Sequence, residues 1–116
     1  MSGNIELGHR DSVGIVRLSG EVDITHASGL RDQLLGAVRN EDLGLVVDLT
    51  DALYVDSAGV SLLFELAERL SGRQLRFAVV VPQEGLIERV LTIVDLGSVA
   101  EIHRELDAAL ATMRHS

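Results

Sequence analysis

Leu45-Val46-Val47-Asp48-Leu49-Thr50-Asp51-Ala52-Leu53-Tyr54-Val55-Asp56-Ser57-Ala58-Gly59 is the stretch on which the fold turns. It opens as an apolar, β-branched run, passes through the turn-prone Asp48-Leu49-Thr50-Asp51 and continues through a short extended connection. An acidic and hydroxyl cluster follows, and then apolar residues at helical spacing from Val60 to Leu70. This reads as a strand, a connection and a helix spanning about Ser57 to Ser71, with one serine at the hinge. A run such as Leu45 to Leu49, apolar apart from Asp48, suits a strand covered on both faces by helices. Serine at a helix start is a common cap, so Ser57 is either a cap or a functional site.

Outward from this centre, Ile5, Leu7 and His9 alternate with polar neighbours. Asp11-Ser12 reads as a turn, and Val13 to Leu18 alternate again, which predicts a hairpin. Gly20-Glu21-Val22-Asp23 closes the second strand, and Asp23 or Thr25 is positioned to cap a helix over Ala27 to Val38, with Leu30, Leu34, Ala37 and Val38 as its buried stripe. In the helix after Ser57, Val60, Leu63, Phe64, Ala67 and Leu70 form the main apolar face, which Leu62 and Leu66 broaden. Gly72 ends that helix. A strand over Gln74 to Val81 is closed by Pro82, which cannot continue a central ladder. Leu86, Ile87, Val90, Leu91 and Val94 predict a third helix from Gln83 or Glu84 to about Thr92, Val99 to His103 a last strand, and Glu105 to Met113 a final helix. The order ββαβαβαβα predicts an α/β fold: one domain over 1–116, a mixed sheet of four to five strands and about four helices.

Composition removes several function classes. The 116 residues are 47% hydrophobic and 24% charged, which suits a globular chain and not a disordered one. No apolar window reaches the length of a membrane span, and Met1 to Gly8 lacks a basic region followed by an apolar one, so a cytoplasmic location is expected. Without cysteine there are no disulfides, thiol catalysis or cysteine metal sites. Eighteen acids against ten bases give a net charge of -8, with the bases scattered and few aromatics, which argues against nucleic acid as a partner.

Neither glycine-rich nucleotide signature, GxGxxG nor GxxxxGK[ST], occurs, so no cofactor is expected. His9, His26, His103 and His115 have no HExxH spacing, and Asp23, Asp48, Asp51 and Asp56 read as turn and cap residues in preference to magnesium ligands; no metal is expected. Ser57, His26 and Asp23 are the one imaginable catalytic set, but Val55-Asp56-Ser57-Ala58-Gly59 is not a GxSxG elbow, and the expectation is a protein that is not an enzyme, with no catalytic residues. Ser57 suits another chemistry. A phosphate there would add roughly -1.5 to -2 charge and three acceptor oxygens. Helix-terminal N–H groups would tolerate that charge, Asp56 would repel it, and Ala58 and Gly59 would leave room for another protein.

Gly20-Glu21-Val22-Asp23, Val46-Val47-Asp48-Leu49 through Val55-Asp56-Ser57-Ala58-Gly59, and Leu91 to Leu96 together resemble the STAS domain family over nearly the full chain. Within it the chain resembles the bacterial anti-sigma factor antagonists that are phosphorylated on serine. The resemblance implies partner switching: the unphosphorylated protein binds a GHKL-type anti-sigma factor and serine kinase and frees a sigma factor. Phosphorylation breaks that complex, and a PP2C-type phosphatase restores it. It also implies that Ser57 is the phosphoacceptor and that Asp23, Asp56, Ser57, Ala58 and Gly59 belong to the partner-binding surface. Ala58 departs from the family's second hydroxyl position and leaves one acceptor. The alternative is a non-catalytic STAS scaffold or sensory-assembly protein whose Ser57 is only a helix cap.

Overall fold

A computed structural model describes residues 4–22, 27–82 and 84–114. Among the described residues six strands form one mixed sheet, flanked by four α-helices. The hairpin joins β1 (Asn4–Arg10) to β2 (Val13–Val22). Asp11 and Ser12 between them both have positive φ, 54° and 64°. This is the mirror-image two-residue turn whose twist matches paired antiparallel strands.

After α1 (Ala27–Leu35) comes β3 (Gly44–Asp48), every residue of which is buried. β3 runs parallel to β2 on one side and to β5 (Arg76–Val80) on the other, and β5 in turn pairs with β6 (Glu101–His103). Among the described strands β1 alone is antiparallel, so the expected mixed sheet is present.

The expected count of four to five strands falls short by one. Ala52–Val55 is a strand, β4, parallel to the last residues of β2 and resuming the course of β3 after a turn. The turn is held by Asp48, which is 2% exposed. Its carboxylate accepts hydrogen bonds from the Thr50 N–H at 2.9 Å and the Thr50 hydroxyl at 2.5 Å, and it faces the Arg17 guanidinium at 3.4 Å. Buried charge is costly unless paired, so Asp48 stays inside only because these donors surround it. Its role is to break the strand, as its reading as a turn residue anticipated.

One sheet face carries the larger core. There α2 (Ser57–Gly72) buries Leu62, Leu63, Leu66, Ala67 and Leu70 among Val16, Leu34, Leu45, Val47, Phe77 and Val79. Leu62 and Leu66 are therefore central, while Val60 and Phe64 are only half-buried. α3 (Leu86–Ile93) buries Ile87 and Leu91 but exposes Leu86. The helix starts later than expected, after Glu84 in a left-handed conformation (φ 61°), and Leu86 falls on its outer side. On the opposite face α4 (Leu106–Arg114) covers Val13, Ile15, Val46, Ala78 and Val80 with Ala109, Leu110 and Met113. Arg10 to Asp107 and Arg114 to Asp11 tie α4 to the hairpin.

Candidate functional site

β4 delivers the chain to the start of α2, where backbone conformation decides which residue caps. Asp56 is extended (φ -80°, ψ 178°), and its Oδ1 accepts a hydrogen bond from the Gly59 N–H at 2.7 Å. Its carbonyl accepts the first helical bond, from the Val60 N–H at 3.0 Å. These are the two marks of an N-cap residue. Ser57 is thus the first helical residue and not the cap, which corrects the reading of Ser57 as only a helix cap. Asp and Ser cap about equally well, and the residue that remains extended takes the role.

Relieved of capping, Ser57 is exposed and its hydroxyl makes no hydrogen bond to any described residue. Ala58 is half-buried and packs against the main core. Gly59 is buried and lines a small apolar pocket with Leu18, Leu34, Leu49, Val55, Leu62 and Leu63. The expectation that Gly59 opens room at the surface is revised: Gly59 is buried beneath the helix start. Asp23, with Thr25 and His26, lies outside the described residues, and with them two of the three members of the imagined catalytic set of Ser57, His26 and Asp23.

The structure also exposes apolar side chains that the pattern of the sequence did not disclose. On β4, Leu53 is 69% exposed, and α3, which packs against β4, exposes Leu86 and also Ile93, the latter at 82%. Leu53 is flanked by half-buried Ala52 and Tyr54, and because all four residues of β4 are apolar or aromatic, no alternation in the sequence marked it as the outward one. Between α1 and α2, Arg31 donates to Glu65 at 2.6 Å, and Arg69 adds a second contact to Glu65 at 3.7 Å. The bond to Glu65 raises the Arg31 guanidinium above its ordinary value.

The other charged pairs are structural. His9 Nε2 lies 2.8 Å from Asp42 Oδ1, and Asp42 Oδ2 accepts from the Arg39 N–H at 2.7 Å. Burial pushes the Asp42 carboxyl up, but these hydrogen bonds outweigh it and hold the carboxyl below the ordinary range. His103 sits 3.5 Å from Glu101, which also binds Arg76. Among the described residues no group of three or more His, Asp or Glu is arranged to hold a metal ion, and no helix is long and apolar enough to cross a membrane.

Comparison with known proteins gives a consistent result. A model of the STAS domain family matches residues 4–109. Anti-sigma-F factor antagonist RsfB of Mycobacterium tuberculosis is 23% identical over 110 residues, covering 95% of this chain and 88% of the relative. The crystal structure of an anti-sigma factor antagonist from Mycobacterium paratuberculosis superposes with a TM-score of 0.83 at 26% identity, over 97% of this chain and 95% of that one. The Bacillus cell fate determinant SpoIIAA in its phosphorylated form shares the fold, with a TM-score of 0.69 at 20% identity over 94% of this chain and 99% of that one.

Proposed function

Because the chain belongs to the STAS domain family, we propose that it is an anti-sigma factor antagonist working by partner switching through Ser57. The unphosphorylated protein binds a GHKL-type anti-sigma factor that is also a serine kinase, and a sigma factor is thereby freed. The kinase phosphorylates Ser57 and the complex separates; a PP2C-type phosphatase resets it. The chain itself is not an enzyme and acts in the cytoplasm, without nucleic acid, membrane or cofactor.

The observation that carries this reading is an exposed Ser57 hydroxyl with no bond to a described residue, beside an Asp56 that already fills the cap. A kinase can reach such a hydroxyl without unwinding the helix. The added phosphate meets the Asp56 carboxylate on one side and the open end of α2 on the other, so its charge changes the docking surface more than the fold. The names of the mycobacterial relatives and the phosphorylated form of a protein of this fold point the same way. Asp56, Ala58 and Asp23 complete the surface in this reading, and Gly59 supports it from below.

The test is incubation with a cognate GHKL-type kinase and ATP, followed by intact mass and peptide mapping. One added phosphate on Ser57, with loss of kinase binding, is expected. An unmodified Ser57 in the presence of an active, bound kinase overturns the switch. A STAS scaffold serving another assembly would instead be recovered from its native cell without such a kinase.

A further inference from the structure

The two edges of the sheet are not alike. β6 is three residues long and offers little to pair with. β1 is seven residues long, exposed along its whole length, and has a neighbour among the described residues on one side only. A long edge strand with unpaired N–H and C=O groups is a template for a further strand, and proteins usually blunt it with proline, a bulge or like charges. β1 has no proline, and its register with β2 runs from Asn4↔Ser19 to Arg10↔Val13 without a shift.

The two-residue turn fixes which groups point outward. Arg10 and Val13 flank it and form a hydrogen-bonded pair, so Glu6 and Gly8 also bond to β2, whereas Ile5, Leu7 and His9 direct their backbone groups away from the sheet. Charges on β1 are arranged about Gly8: Glu6 stands two residues before it and Arg10 two residues after. Glu6 forms no ion pair with a described residue, and Arg10 is more than half exposed and, among the described residues, meets an acid only at Asp107, 3.6 Å away.

We propose that β1 is the interface of a homodimer, in which a second copy of this chain pairs antiparallel with it about Gly8. In that register Leu7 and His9 exchange backbone hydrogen bonds with His9 and Leu7 of the other copy. Glu6 faces Arg10 of the other copy, twice. Gly8 faces Gly8 in a close, non-hydrogen-bonded pair, with Cα atoms about 4.5 Å apart. The alternative register centred on Leu7 sets Glu6 against Gly8 and leaves the charges unmatched, so charge complementarity selects the one about Gly8. Leu7, 48% exposed, lies opposite His9 and diagonally across the seam from Leu7 of the other copy. Ser57 follows β4, which resumes the course of β3 away from β1, so pairing leaves it uncovered.

The chain's lack of cysteine supplies a clean test. A Cβ at Gly8 meets nothing within 4 Å, so Gly8→Cys introduces a thiol without strain; Gly72→Cys, equally unobstructed, is the control. Mild oxidation is expected to cross-link the Gly8 variant through the paired positions and to leave the Gly72 variant largely uncross-linked. Sedimentation of the unmodified chain is expected to show a concentration-dependent dimer. Glu6→Arg or Arg10→Glu alone should abolish it by setting like charges opposite one another, and the two together should restore it. A unmodified chain that stays monomeric throughout, equal cross-linking of both cysteine variants, or a double variant that fails to recover the dimer while remaining folded by circular dichroism overturns the proposal. Each of these readouts is independent of whether Ser57 is phosphorylated.

Discussion

Asp56 Oδ1 holds the N–H of Gly59 at 2.7 Å while the hydroxyl of Ser57, one residue along the chain, bonds to no described residue. Capping and candidate signalling chemistry are thus divided between adjacent side chains. Asp56→Ala is expected to lower stability by about 1 kcal/mol, the usual cost of a lost cap. Ser57→Ala is expected to stay within about 0.5 kcal/mol of the parent. Urea denaturation of the two variants checks this, and a Ser57→Ala protein as destabilised as Asp56→Ala would reverse the assignment.

Ser57→Asp places a permanent charge where the phosphate would go. Its folding stability is expected to remain within about 1 kcal/mol of the parent, because an acid in the first turn interacts favourably with the helix end. If the proposed switch operates, its binding to a GHKL-type kinase is expected to fall at least tenfold, about 1.4 kcal/mol. Titration calorimetry beside thermal unfolding separates the two effects.

Asp42 links β1 to the loop before β3 through His9 and the Arg39 N–H. Its carboxyl pKa is depressed in the folded protein, so the folded state binds its proton less readily than the unfolded state. The stability it contributes is complete above the unfolded carboxylate value, about 3.9, and is lost as pH falls through the lower folded value. Asp42→Ala is expected to cost about 1–3 kcal/mol near neutral pH and to flatten stability between pH values on either side of that window. Denaturation midpoints measured across the acid range, parent against variant, provide the check.

Gly44 begins β3 where the strand passes β5, and a Cβ there would lie 2.2 Å from the Arg76 carbonyl oxygen and 2.8 Å from its carbon. Backbone atoms cannot yield as a flexible side chain would. Gly44→Ala is expected to cost about 2 kcal/mol or more. At Gly72, where nothing lies within 4 Å, alanine is expected to be neutral or to gain about 0.5 kcal/mol. Thermal melts that rank the two substitutions the other way would contradict the register of β3 on β5.

How much of this was legible in the chain depends on the range of the forces involved. β3 could be read because continuous burial leaves continuous apolar composition, and Asp11-Ser12 because a two-residue turn states its requirement locally. β4 could not, since Ala52–Val55 is a strand only by virtue of pairing with the end of β2, some thirty residues earlier in the chain. The choice between Asp56 and Ser57 as cap was beyond reach for a different reason. Both side chains are competent, and a backbone angle set by the preceding strand selects between them. The exposure of Leu86 in α3 followed from where the helix begins, which depends on the left-handed Glu84. Resemblance to a family singled out Ser57; periodicity alone had offered only a helix start.

α2 is anchored by Leu62, Leu63, Leu66 and Leu70, all buried, while its first residue contributes nothing to that anchorage. Substitutions around the tip and substitutions in the body therefore fall under separate constraints. Duplicated copies of such a gene could diverge at the tip, each tuned to a different partner and insulated from the others, without revisiting the solution that keeps the domain folded. The helix is in this sense a mount, and what it presents is free to evolve.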